Sequence, residues 1–303
     1  MTYILFVAGL VGLFFGGEFL VRGASAVARR FHLSPMVIGL TIVGFGTSAP
    51  EMLVSVQAAL AGSPGIAIGN VVGSNIANIL LILGLSALIA PLLIPARKLW
   101  RDLAFMLAAT AILWVMLWDG QVTRFEGILL LAGLAAFLTT AFLTGKQEPE
   151  EATLGDIPQW KAWAMTFGGL VVLVIGARLL VDGATEIARG FGISEAVIGL
   201  TIVAVGTSLP ELATSVIAAI RKQTEIAVGN IVGSNIFNIF GILGTTALIA
   251  PIPSEARFAL IDMPWAAATA VGLTVLAFLL GGLPRIAGAF LLAAYGGYLW
   301  LMG

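Results

Sequence analysis

Residues 31–51, FHLSPMVIGLTIVGFGTSAPE, return as residues 191–211, FGISEAVIGLTIVAVGTSLPE, at an offset of 160. The same offset carries GNVVGSNIAN at 69–78 onto GNIVGSNIFN at 229–238, and ALIAPL at 87–92 onto ALIAPI at 247–252. A fixed period over so much of the chain means two copies of one structural unit. Working outward, the first copy extends over 1–144 and the second over 161–303, with the most similar parts at about 35–90 and 195–250. Between them lies an acidic linker, 145–160, holding Glu148, Glu150, Glu151 and Asp156.

Each copy is mostly apolar. Of 303 residues 59% are hydrophobic and 10% charged, whereas soluble domains carry about 25% charged residues. Runs poor in charge predict ten membrane-crossing helices at roughly 3–27, 35–61, 66–90, 102–118, 126–143, 162–187, 195–220, 226–250, 260–281 and 286–302, each able to cross about 30 Å of hydrocarbon. The first run has no basic leader and contains Glu18 and Arg22, so it reads as a span and not as a cleaved signal. The expected fold is an all-α polytopic membrane protein. Five spans per copy is an odd number, so the second copy must enter the membrane from the opposite side. That makes two inverted five-helix repeats, an arrangement of secondary transporters with sites at the repeat interface near the midplane.

Basic residues set the orientation, because they collect in cytoplasmic loops. Loops after odd-numbered spans hold ten Lys and Arg and loops after even-numbered spans hold three, with Arg22 and Arg178 inside spans. Both termini are therefore expected outside, with the linker cytoplasmic. There is no cysteine and one histidine, His32, which leaves no thiolate or imidazole cluster for a redox or zinc site. A net charge of −1 gives nucleic acid nothing to bind.

An ionisable side chain inside a bilayer costs about 2.5–3.5 kcal/mol on insertion scales, so an acid in mid-span is a functional candidate. Glu51 and Glu211 are two such acids at matching repeat positions. Pro50 and Pro210 precede them and should break their helices, freeing the carbonyls of Gly46 and Gly206; unwound backbone at this depth is tolerated only where it lines a polar cavity. Thr47, Glu51 and Ser55 share a helical face, as do Thr207, Glu211 and Ser215, and Asn70, Ser74, Asn78 and Asn230, Ser234, Asn238 form matching stripes. Gly65, Gly69, Gly73, Gly229 and Gly233 suit close helix approach. Carboxylate, amide and hydroxyl oxygens without nitrogen or sulfur ligands suit hard cations such as Ca²⁺ and, by the same logic, Na⁺. Two further charged pairs, Glu18 with Arg22 and Arg178 with Asp182, stand at i and i+4 and are expected to neutralise one another.

GTSAPE with GSNIAN, repeated as GTSLPE with GSNIFN, resembles the paired α-repeats of the sodium/calcium exchangers within the cation/calcium antiporter superfamily, over essentially the whole chain. The resemblance implies side-chain ligands Glu51, Thr47, Ser48, Ser74 and Asn78 from one repeat, and Glu211, Thr207, Ser208, Ser234 and Asn238 from the other. It also implies backbone carbonyls near Gly44 and Ala204, no cofactor, and three Na⁺ exchanged for one Ca²⁺ at the cell (inner) membrane. Potassium-coupled relatives carry Asp where this chain has Asn78 or Asn238, which leans away from potassium. In that family the first and sixth helices slide to alternate access. Three other readings remain open: a Ca²⁺/H⁺ antiporter using the same acids, a cation channel, and a membrane enzyme. The last finds no HExxH and no His partner for its serines.

Overall fold

The computed structural model describes residues 2–94, 96–145, 157–192 and 204–302. Most of the expected linker, and residues 195–203 of the expected seventh span, lie outside the described residues. Long apolar runs without internal breakers give α1 (Thr2–Arg30), α4 (Pro64–Ile89), α5 (Ala96–Met116), α6 (Arg124–Thr144) and α7 (Gln159–Gly190). The expected second span is two helices, α2 (Pro35–Thr47) and α3 (Ala49–Leu60), bent by 44°. After a helical turn at Ala204–Gly206 come α8 (Leu209–Ile220), α9 (Thr224–Ile249), α10 (Phe258–Leu280) and α11 (Arg285–Met302). Among the described residues seven helices are long and apolar enough to cross a membrane, and the bent pair makes an eighth; α8 and α11 are apolar but shorter.

The proline expectation holds with a refinement. The break falls at Ser48, two residues before Pro50, which places the proline in the first turn of α3, where a missing N–H costs nothing. Ser208 and Pro210 repeat this at α8, and the two serines share a backbone conformation, φ −83°, ψ 7° and φ −88°, ψ 6°. The carbonyls of Gly44 and Gly46 are both approached by the Ser48 N–H, so Gly46 is not left wholly bare.

Not all of the chain is helix. Leu92–Leu93 pairs antiparallel with Gly282–Leu283, and Gln121–Val122 with Ile252–Pro253. Two-residue strands are too short for hydrophobic periodicity to register. Within the helices, π-helical segments occupy Gly39–Val43, Asn78–Leu83, Asn238–Leu243 and Phe258–Asp262. The second and third are related by the offset of 160.

Glycines set the closest crossings. A Cβ on Gly9 would stand 2.4 Å from Leu180 N, on Gly16 2.7 Å from Leu173 N and on Gly23 2.5 Å from Thr166 N, so α1 and α7 run antiparallel with backbones touching. At the α2–α9 crossing, a Cβ on Gly233 would be 2.2 Å from Leu40 O and one on Gly229 2.8 Å from Met36 O. The core lies here: the most apolar stretch of α9 is wholly buried, whereas in α6 and α7 only 22% and 28% of that stretch is buried. The outer faces of α1 and α7, with Phe14, Phe15 and Phe19 exposed on the first and Val171 and Ile175 on the second, match the acyl chains of a bilayer and not water.

Glu18, buried on α1, pairs with Arg22 as expected, and also with Arg221, whose Nε and Nη2 lie 2.8 and 2.6 Å from its two oxygens. Arg178 and Asp182 do not close into the expected ion pair. Both side chains are exposed on α7, so nothing obliges them to neutralise each other, whereas buried Glu18 must be paired.

Candidate functional site

Glu51 and Glu211 are both 1% exposed and lie in the first turns of α3 and α8, where unpaired N–H groups favour a negative charge. A serine one residue before each helix ordinarily caps it. Neither Ser48 nor Ser208 does so. Instead each reaches across to the other repeat: Ser48 Oγ donates to Glu211 Oε1 at 2.9 Å and Ser208 Oγ to Glu51 Oε1 at 3.3 Å. The two broken helices therefore meet at their breaks, and each acid is held by the other half of the chain.

Asparagines brace this meeting from below. Asn70 Nδ2 donates to Glu51 O at 3.1 Å and to Ser55 Oγ at 2.9 Å; Asn230 Nδ2 donates to Glu211 O at 3.4 Å and to Ser215 Oγ at 3.0 Å. With their amide nitrogens so used, Asn70 and Asn230 clamp the acid-bearing turns. Thr47 Oγ1 stands 3.1 Å from both Val43 O and Asn230 Oδ1, joining α2 to α9. Ser234 Oγ donates to Gly44 O at 3.2 Å, which the α2–α9 crossing makes possible.

Two residues absent from the sequence reading complete the site. Asn75 Nδ2 donates to Asn235 O at 3.1 Å and Asn235 Nδ2 to Asn75 O at 3.4 Å, while their side-chain oxygens accept from Asn78 Nδ2 and Asn238 Nδ2, both at 3.0 Å. This ring of four asparagines ties α4 to α9. Asn75 and Asn235 stand one position off the 70, 74, 78 stripe, so i, i+4 spacing passes over them. The asparagine following serine in both copies of GSN was the available signal.

The ring fixes which atoms stay bare. With their nitrogens engaged, Asn78 and Asn238 turn unpaired Oδ1 atoms to the interior, and Glu51 Oε2, Glu211 Oε2 and Thr207 Oγ1 are likewise buried without a hydrogen-bond partner. A stranded buried acceptor costs about 1–3 kcal/mol, and a native structure keeps few. Among the described residues nine side-chain atoms are stranded in this way; these five belong to the two helix breaks and the asparagine ring, four of them are matched by the repeat, and their all-oxygen chemistry suits a hard cation. The donor set is all oxygen, and among the described residues no group of three His, Cys, Asp or Glu exists to hold a transition metal. Ser74 is buried on the same stretch of α4. Ala204 opens the helical turn equivalent to that of Gly44, and its side chain lies outside the described residues.

A sequence model of the family described as sodium/calcium exchanger protein matches residues 1–143 and 161–303. The chain is 33% identical to the sodium/calcium exchanger MaX1 of Methanosarcina acetivorans over 83% of its own length and 84% of the relative's. It is 40% identical to the inner membrane protein YrbG of Escherichia coli over 82% of this chain and 79% of that one. A solved structure of the sodium-calcium exchanger NCX_Mj, soaked with Na⁺ and Sr²⁺, superposes with a TM-score of 0.87 at 35% identity, covering 97% of this chain and 96% of the other.

Proposed function

The chain belongs to the sodium/calcium exchanger family, and from that premise we propose that it is a secondary active antiporter that exchanges Na⁺ for Ca²⁺ across the membrane by alternating access. Members of this family are transporters, so the chain is not an enzyme; the cations are cargo and no cofactor is needed.

The observation that carries the reading is the set of bare buried oxygens of Glu51, Glu211, Asn78, Asn238 and Thr207. Ca²⁺ takes six to eight flexible oxygens, and two ionised carboxylates supply the charge that one Ca²⁺ neutralises. The ligands are Glu51, Thr47, Ser48, Ser74, Asn78, Glu211, Thr207, Ser208, Ser234 and Asn238, with carbonyls near Gly44 and Ala204 completing the sodium positions. Moving two uncompensated carboxylates through a dry, closed state costs several kcal/mol per charge. The empty carrier therefore resists reorientation, which favours exchange over uniport or a channel.

Counting the bent pair as one span and adding α8 and α11 brings the total to ten. Five spans on each side of the linker make the repeats inverted, with both termini outside and the linker in the cytoplasm. An inner-membrane location is supported by the likeness to the Escherichia coli inner membrane protein YrbG. Exchange of three Na⁺ for one Ca²⁺ moves one net charge per cycle, and at about 2.3 kcal/mol per charge per 100 mV an inside-negative potential drives calcium out.

The test is radioactive calcium flux in vesicles holding the purified chain, with Na⁺, H⁺ and K⁺ gradients imposed one at a time. A Na⁺ gradient at fixed pH is expected to drive uptake, and uptake driven by the H⁺ gradient alone would identify a Ca²⁺/H⁺ antiporter instead.

A further inference from the structure

Two arginines converge on one carboxylate at the edge of the molecule. Glu18 is held by Arg22 and, through both of its oxygens, by Arg221. Two guanidinium charges against one carboxylate leave a positive charge over within this trio. The same two arginines, with Ser25, Arg29, Ile157 and Gln223, line a cavity of about 200 Å³. The side chains of Arg22 and Arg221 remain 56% and 47% exposed, so both stay accessible while they hold Glu18.

The cavity's position decides its ligand. It lies at the last turns of α1, just beyond α8 and just before α7, chain ends that the distribution of basic residues assigns to the cytoplasmic face. Trp160 and Phe31, exposed to 73% and 46%, flank those ends in sequence, and aromatic residues of this kind mark the bilayer–water boundary. Beneath it the exposed apolar face of α1, with Phe19, Phe15 and Phe14, gives an acyl chain a track. Guanidinium forks match phosphate geometry, and basic pockets between membrane helices on this side take anionic headgroups. We infer that this cavity binds the phosphate headgroup of an anionic phospholipid.

The full-length chain, purified in neutral detergent, is titrated with phosphatidylglycerol, phosphatidylcholine or inorganic phosphate while its Tm is followed, and the lipid it retains is weighed by native mass spectrometry. Phosphatidylglycerol is expected to raise the Tm and phosphatidylcholine to leave it unchanged. The double variant Arg22→Gln/Arg29→Gln, which keeps the Arg221–Glu18 pair, should bind phosphatidylglycerol about tenfold or more weakly, the worth of one charge-assisted bond or more. Arg285→Gln, a loss of charge outside the cavity, should bind like the parent. Equal weakening in both variants, or none in either, would overturn the site. An identical Tm rise with inorganic phosphate alone would assign it to free phosphate. A lipid response seen only after Glu148, Glu150, Glu151 and Asp156 are neutralised would assign it to the linker's own carboxylates.

Discussion

Glu51 and Glu211 each have one oxygen engaged by a serine of the opposite repeat and one left bare. On the proposed function the bare oxygens are the ones the cation uses, so Glu51→Gln or Glu211→Gln removes a full ligand charge while keeping the shape. Either variant should fold normally and lose about 10- to 100-fold in apparent Ca²⁺ affinity, the worth of a charge-assisted contact, measured as flux against external Ca²⁺. A proton on either carboxylate does reversibly what the amide does permanently. Protons and calcium therefore compete, and lowering the pH should raise the Ca²⁺ concentration needed for half-maximal flux, while both variants lose part of that dependence. Asn235 acts differently. Asn235→Ala strands Asn78 Nδ2 and Asn75 O, so it should lower the unfolding free energy by about 1–3 kcal/mol, read as a fall in Tm, and loosen Ca²⁺ binding through the freed Asn78. The acids were legible in the sequence because a charge inside an apolar run announces itself. The asparagine ring was not, because its bonds join residues about 160 apart, a separation at which spacing on one helix carries no information.

At the scale of elements, the break in the α2–α3 span was legible from Pro50 and its repeat partner, since a ring without an N–H leaves a helix few options. The π-helical segments left no such mark: NILLIL at 78–83 is an ordinary apolar run that nothing in its composition sets apart from an α-helix. Of the glycines the sequence singles out, Gly229 and Gly233 meet the backbone of α2. A Cβ on Gly65 or Gly69 would meet only a side chain at 3.5 Å or more and one on Gly73 nothing within 4 Å, so that stripe does not make the expected close approach. The glycines that bring α1 and α7 together were not singled out. Gly168 and Gly169 are adjacent on α7 and show the difference. A Cβ on Gly169 would stand 2.5 Å from Leu20 N, whereas one on Gly168 meets nothing within 4 Å. Gly169→Ala should force α1 and α7 apart, lowering Tm and exchange rate together, and Gly168→Ala should leave both unchanged; paired thermal and flux measurements on the two variants check this. The pairing of Glu18 with Arg221 belongs to the same class of long-range contact, and explains why Glu18 tolerates burial when Arg178 and Asp182 stay exposed and apart.

Across the whole molecule the close crossings share a pattern. α1 lies on α7 and α2 on α9. A Cβ on Gly288 of α11 would be 2.6 Å from Gly84 O of α4, and one on Gly127 of α6 2.9 Å from Gly244 O of α9. Both short strand pairs likewise join a loop of the first copy to a loop of the second. Each half uses the other as its interior, so the peptide that connects them adds proximity and not architecture. A gene cut within the linker should therefore still make a working protein when its two pieces are synthesised together in one membrane, and either piece made alone should be degraded. Co-purification of one piece on a tag carried by the other, with calcium flux recovered in vesicles, is the expected outcome. By this logic the two halves stand to each other as the subunits of an obligate heterodimer do, joined in one reading frame.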